Sequence, residues 1–281
     1  MIAHMNAMTH ETIIEVGRAE RHYWRELWHY RELFRVLAWR DVAVRYKQTV
    51  IGAAWAVIRP FLTMVVFTVI FGKLANLPSD GATPYAIMVF AGLLPWTFFS
   101  SELTDAANSV VGGANLISKV YFPRLILPIA TVGVAFVDFT INFAILVVLM
   151  IWYRFVPSWQ IVLLPLFVVL AVLASLGPGL WLTALNVKYR DVRFVIPFLV
   201  QFGLYASPVG YSSSIVPEQW RLLYSLNPMV GVIDGFRWCL LGGQSQIYPL
   251  GFLLSIGITA FCLWLGIRQF RKMENCFADL M

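Results

Sequence analysis

Hydrophobic residues along the chain gather into runs of about twenty, the length an α-helix needs to cross a hydrocarbon core of about 30 Å at 1.5 Å per residue. Six such runs are legible, at approximately 52–71, 85–101, 126–153, 161–187, 195–211 and 249–267. They are unbroken, unlike the roughly ten-residue apolar–polar alternation of a transmembrane β-barrel strand. The expected fold is therefore all-α and integral to the membrane: six transmembrane helices, an N-terminal amphipathic interfacial helix, and short re-entrant helices between spans five and six.

The last two features come from segments that fit neither a span nor a short loop. Between Tyr23 and Ala38, the residues Tyr23, Leu27, Tyr30, Phe34 and Leu37 recur at spacings of four and three, while Arg25, His29 and Glu32 face the other way. That period defines an amphipathic helix lying at the membrane surface. Trp24 and Trp28 widen its apolar border with rings that favour the headgroup level. Such a helix serves as a topological anchor or as a moving gate. Residues 212–248 hold apolar stretches too short to span, interrupted by Pro217, Pro228 and the Gly242–Gly243 pair. Short helices dipping into the outer leaflet fit this pattern, and irregular backbone at that depth is tolerated where it rims a protein-lined pathway; a small extracellular cap is the other reading.

Composition agrees with the pattern. Of 281 residues, 59% are hydrophobic and 13% charged, against about 25% charged in soluble domains. The net charge of +6 would suit a nucleic-acid partner, but its placement argues otherwise. With the N-terminus inside, sixteen of the 21 basic residues fall on the cytoplasmic side. Eight of them (Arg18, Arg21, Arg25, Arg31, Arg35, Arg40, Arg45 and Lys47) precede span one, and Lys73, Arg154, Arg221 and Arg237 lie outside. The positive-inside rule then puts both termini in the cytoplasm and leaves no case for nucleic acid. The N-terminus has no basic stretch followed by an apolar one, so the first span is expected to act as its own insertion signal. Cys239, Cys262 and Cys276 show no metal-ligand or disulfide spacing.

Candidate chemistry is sparse. No phosphate-binding loop is present; residues 113–119 (GANLISK) lack the second glycine and the Ser or Thr after the lysine. There is no HExxH or GxSxG, and His4, His10, His22 and His29 all precede span one, so neither catalytic residues nor a metal site are expected. Within the spans, the polar residues that stand out are Arg59, beside Pro60, and Asp138 with Asn142 four residues on, joined by Asn186 and Gln201. An ionisable group in hydrocarbon costs about 3 kcal/mol on insertion scales. Arg59 is therefore expected to snorkel, and Asp138 and Asn142 to meet another helix rather than relay protons, since no second carboxylate is evident near them. Phe67 and Phe71 in span one, and Phe194, Phe198, Phe202 and Tyr205 in span five, recur at helical spacing. Such a row suits either the C–H faces of sugar rings or ordinary packing.

Five strings, in order, carry a resemblance: RDVAVRYKQTVIGAAWAVIRP (40–60), KVYFPRLILP (119–128), NVKYRDV (186–192), PVGYS (208–212) and LNPM (226–229). Over essentially its whole length the chain resembles the membrane subunit of polysaccharide-exporting ABC-2 type ABC transporters, the group of O-antigen, teichoic acid and capsule exporters.

The resemblance implies a multi-pass subunit of the bacterial inner membrane that homodimerises among membrane lipids. It would dock two copies of a separate ABC ATPase, which binds the ATP and Mg that this chain does not. The substrate implied is a lipid-linked polysaccharide, moved through a channel at the dimer interface. Three parts follow: residues 1–50 with a gate helix (Tyr23, Trp24, Leu27, Trp28, Tyr30, Phe34), a six-span domain at 51–268, and a tail at 269–281. The aromatic residues above would line the channel. Lys119, Phe122, Pro123 and Arg124 would couple it to the ATPase, and Phe122→Asp is expected to uncouple hydrolysis from export without preventing assembly. Trp220, Asn227, Pro228 and Met229 would belong to an extracytoplasmic gate at about 212–248. The competing functions are ABC-2 export of drugs or lipids, a polytopic membrane transferase, and an ion-coupled transporter, the last lacking paired midplane carboxylates.

Overall fold

The computed structural model describes residues 23–47, 50–81, 83–189, 191–242, 245, 247–274 and 277, with only the backbone at 50–53. Arg18, Arg21, Arg190, Gly243, Cys276, His4, His10 and His22 lie outside the described residues. Among the described residues the regular structure is entirely helical. In chain order the helices are α1 (Tyr23–His29), α2 (Arg31–Lys47), α3 (Val50–Phe67), α4 (Tyr85–Gly112), α5 (Ala114–Ile117), α6 (Ile126–Trp152), α7 (Leu164–Lys188), α8 (Val192–Ala206), α9 (Glu218–Tyr224), α10 (Pro228–Leu240) and α11 (Pro249–Glu274).

Among the described residues, five segments are long and apolar enough to cross a membrane: Ala54–Leu74, Tyr85–Gly112, Ile126–Trp152, Trp159–Lys188 and Pro249–Glu274. The expected fifth span is shorter than its hydrophobicity implies. Helix α8 has 15 residues, about 22 Å at 1.5 Å per residue, and unwinds at Ser207 instead of running on to Tyr211. The second span departs the other way. It continues from Ser101 to Gly112, because Ser100, Thr104, Asn108 and Ser109 turn their side chains onto carbonyls three or four residues back. Their polarity is absorbed within the helix and does not end it.

Helix α4 is the centre of the bundle, flanked by α6, α7 and α10. Glycines allow a close backbone-to-backbone approach between α7 and α11. A Cβ on Gly177 would stand 2.7 Å from the backbone nitrogen of Leu263, and one on Gly266 would run into the Gly177 carbonyl. Small residues at such crossings let helices gain van der Waals contact where lipid supplies no hydrophobic drive.

The core divides into two ends. At one, α10 packs against the first half of α4, the first half of α7 and the start of α11. At the other, the apolar face of α1 and α2 (Tyr23, Leu27, Tyr30, Phe34, Leu37) packs against Val110, Phe122, Leu125, Leu127, Leu180 and Phe270. Arg25, His29 and Glu32 are exposed, as are Trp24 and Trp28. Helices α3 and α8 stand apart: each leaves a broad apolar face uncovered, with Trp55, Phe61, Leu62 and Val66 on α3 and Phe194, Phe198 and Phe202 on α8.

Candidate functional site

Between the loosely packed α3 and α8 and the body of the bundle lies a cleft of about 430 Å³. Its floor is polar for a reason visible in α4 and α6. Thr97, Ser100, Ser101, Thr104 and Asp105 follow one stripe of α4, and Asp138 and Asn142 sit one turn apart on α6. Helix α2 closes one end. Its Arg45 Nη1 lies 2.8 Å from Asp105 Oδ2 and 3.4 Å from Asp138 Oδ2, and the Tyr46 hydroxyl donates to Asp138 Oδ1. Burial disfavours the Arg45 cation, but the two carboxylates outweigh it and hold its pKa above the ordinary value. Burial and the bond to Asp138 push the Tyr46 hydroxyl up. Arg59, Trp55, Trp96 and Gln201 complete the walls.

Asp138 therefore meets another helix, while Asn142 turns back, donating through Nδ2 to the Asp138 carbonyl at 2.9 Å. The expectation that no second carboxylate stands near Asp138 is corrected. Asp105 sits across Arg45 from it, and Glu102, fully buried, accepts from Thr131 at 3.0 Å. Both acids escape the sequence reading because an end at Ser101 leaves them outside span two. Their spacing of three, amid hydroxyl residues at helical intervals, is the signal that extends the helix.

The aromatic set divides. Phe194, Phe198, Phe202 and Tyr205 form an exposed row along α8, with Phe198 and Phe202 stacked at 6.3 Å and 17°. Phe67 is only 5% exposed, held by Phe71 and Tyr205 at ring distances of 5.3 and 6.2 Å. Phe67 is thus a prop beneath the row and not part of its open surface, which corrects its placement as a channel-lining ring.

Of the four residues expected to couple to the ATPase, Lys119 is exposed and Arg124 partly so, but Phe122 and Pro123 are buried. Phe122, 4% exposed, belongs to the core beneath α1 and α2. The expectation that Phe122→Asp spares assembly is corrected, since a carboxylate there would be buried among apolar side chains. Arg124 ties this segment to the end of α11: its N–H donates to Glu274 Oε1 at 2.9 Å, and its guanidinium to the Glu274 carbonyl. The Tyr23 hydroxyl also reaches Glu274, at 3.1 Å to Oε2, and Arg271 lies over the Tyr23 ring at 4.7 Å. Burial, then the nearby Glu274 charge, raises the Tyr23 hydroxyl above its usual range.

At the opposite end, Ser213–Ile215, α9 and α10 form the expected short helices. Asn227 caps α10, accepting from the Met229 N–H at 3.0 Å, and Pro228 opens the helix. Such a cap and an N1 proline explain the LNPM string. Met229 is buried; Trp220 is exposed. Arg237, an outside charge by its place in the sequence, is fully buried.

Residues 32–241 match the model of the family described as ABC-2 type transporter. The chain is 30% identical over 260 residues to the O-antigen export system permease protein RfbA of Myxococcus xanthus, covering 91% of this chain and 97% of that one. It is 26% identical to RfbA of Klebsiella pneumoniae, covering 89% and 95%. It is 23% identical to the polysialic acid transport protein KpsM of Escherichia coli, covering 84% and 91%.

Proposed function

The chain belongs to the ABC-2 type transporter family, and from that premise we propose that it is the inner-membrane permease subunit of an ATP-driven exporter of a lipid-linked polysaccharide. Three relatives aligned over most of their length are named for O-antigen export or polysialic acid transport. The observation that carries the reading is the cleft: a polar floor on α4 and α6 beside an exposed aromatic row on α8. Hydroxyl and carboxyl groups hydrogen-bond sugar hydroxyls, and flat aromatic faces let sugar rings slide without tight binding.

A second copy of the chain laid against α3 and α8 would convert this open groove into an enclosed channel at the homodimer interface. Both termini would be cytoplasmic. Nucleotide-driven closure of two separate ATPase subunits, which would bind ATP and Mg, would reach the channel through residues 119–124, and α1–α2 would gate the cytoplasmic side. The hairpin at 212–248 would gate the other side. A two-state packing biased by the ATPase is sufficient to couple hydrolysis to opening.

The test is depletion of the protein in its host, followed by analysis of lipid-linked glycans inside the cell and at its surface. Accumulation of one glycan inside with its loss outside supports the proposal and identifies the substrate. Unchanged glycans on both sides would move the assignment to export of drugs or lipids.

A further inference from the structure

The stretch after α8 is irregular backbone deep in the protein. Ser207, Pro208, Val209 and Gly210 are all buried, and buried backbone carbonyls outside regular structure need partners. Dedicated partners take up its polar groups. Arg237 of α10 donates through Nη2 to the Val209 carbonyl at 3.0 Å and through Nη1 to the Tyr211 carbonyl at 2.8 Å. Tyr85, the first residue of α4, donates its hydroxyl to the Gly210 carbonyl at 2.6 Å. Asn227 reaches the Ser207 hydroxyl at 2.9 Å.

The surroundings are shaped to this arrangement. A Cβ at Gly92 would sit 3.1 Å from Arg237 Nη2 and 3.2 Å from the Val209 carbonyl, so the glycine makes room for the clamp. A Cβ at Gly210 would stand 2.8 Å from Phe71 and 2.9 Å from Phe67. The rings that prop the α8 aromatic row therefore also press on the clamped segment. Arg237 is 0% exposed, and such burial of a guanidinium is costly unless it is well bonded and its charge offset. Asp80 and Asp234 favour the charge but only partly counter the cost of its burial, and each keeps one buried oxygen without a hydrogen-bond partner, as Arg237 keeps its Nε.

We propose that Arg237 and Tyr85 are the positioning residues of the gate on this side of the membrane. They hold by its carbonyls the unwound segment that ends the α8 aromatic row, and the channel stays shut there while that grip holds. The planar fork of arginine spans two carbonyls at once, which a lysine ammonium does not do with the same geometry. The free oxygens of Asp80 and Asp234 give the guanidinium a place to go when the carbonyls are released. The proposal rests on the reading of the chain as a channel-forming permease, and it assigns a role to the PVGYS string, which supplies the carbonyls.

The test uses the full chain with its co-expressed ATPase in proteoliposomes loaded with carboxyfluorescein. Dye leakage without ATP is followed for wild type, Tyr85→Phe, Arg237→Lys and the control Thr183→Val. The control removes a buried interhelical bond from Thr183 to the Ala106 carbonyl at 2.8 Å, far from the clamp. Loss of one hydrogen bond at the clamp predicts leakage about fivefold above wild type for Tyr85→Phe, and loss of the fork about tenfold or more for Arg237→Lys. Thr183→Val is expected to remain tight. If Arg237→Lys does not fold, Tyr85→Phe decides, since it removes one hydroxyl. Folded variants as tight as a wild-type complex that exports its glycan overturn the clamp, as does a leak equal to theirs in Thr183→Val. A wild-type complex that exports no glycan overturns the underlying functional reading instead.

Discussion

Removing the Glu274 carboxylate should release α1 from the segment proposed to meet the ATPase. In Glu274→Ala two acceptors vanish together, for the Arg124 N–H at 2.9 Å and for the Tyr23 hydroxyl at 3.1 Å. A hydrogen bond to a charged group contributes about 1.5 kcal/mol or more, so loss of the Tyr23 bond shifts the equilibrium between docked and undocked α1 by about 13-fold, and loss of the Arg124 bond loosens residues 119–125 by about as much. The bond from the Arg124 guanidinium to the Glu274 carbonyl is to the main chain and survives the change, which keeps the effect local. The assay is amide hydrogen exchange of residues 23–38 and 119–125 in the purified protein. Both segments should exchange faster in Glu274→Ala, and α4 should be unchanged. Tyr23→Phe should reproduce the effect at α1 alone, and the double variant should fall short of the sum of the singles, as for two groups bonded to each other. Exchange in both segments equal to wild type would refute the junction.

Phe122→Asp should reduce the monodisperse fraction in detergent, by analogy with the loss of about 3–5 kcal/mol when a buried Phe is truncated. Val120→Asp, at a position 51% exposed two residues away, should assemble normally and lower export per ATP hydrolysed. Gly266→Val should destabilise the α7–α11 crossing by at least the roughly 1–3 kcal/mol typical of overpacking, seen as a lower melting temperature, because its Cβ would run into the Gly177 carbonyl. Asp138→Asn should loosen α2 from α6 and speed exchange at residues 42–47. Asp41→Asn should not, since its ion pair joins it to its own neighbour Arg40.

The apolar runs, the amphipathic period of α1–α2 and the interrupted hairpin are legible in the sequence because each is a local pattern. What stays hidden is tertiary. The hydroxyl and amide residues from Ser100 onward read as the end of span two; only the folded helix shows their side chains satisfied on their own backbone. Ending the span there removes Asp105 from view and makes Asp138 look solitary. Phe122 and Phe67 occur in patterns indistinguishable from exposed rings, and their burial depends on α1–α2 and on Tyr205, distant in the chain. Arg237 counts among the outside charges by position, although its placement within the apolar stretch GVIDGFRWCLL (231–241), three residues after Asp234, is the kind of pairing that marks a buried charge.

Photo-cross-linking from the α8 row tests the central claim most directly. A benzoyl-phenylalanine placed at Phe198 or Phe202, both more than 60% exposed, is compared in exporting cells with one at Leu253 on the outer face of α11, exposed to a similar degree. Passage of a polysaccharide along the cleft predicts glycan-bearing adducts at positions 198 and 202 and none at 253. Glycan export proceeding normally with no adduct on α8, or with equal adducts on α11, would contradict it.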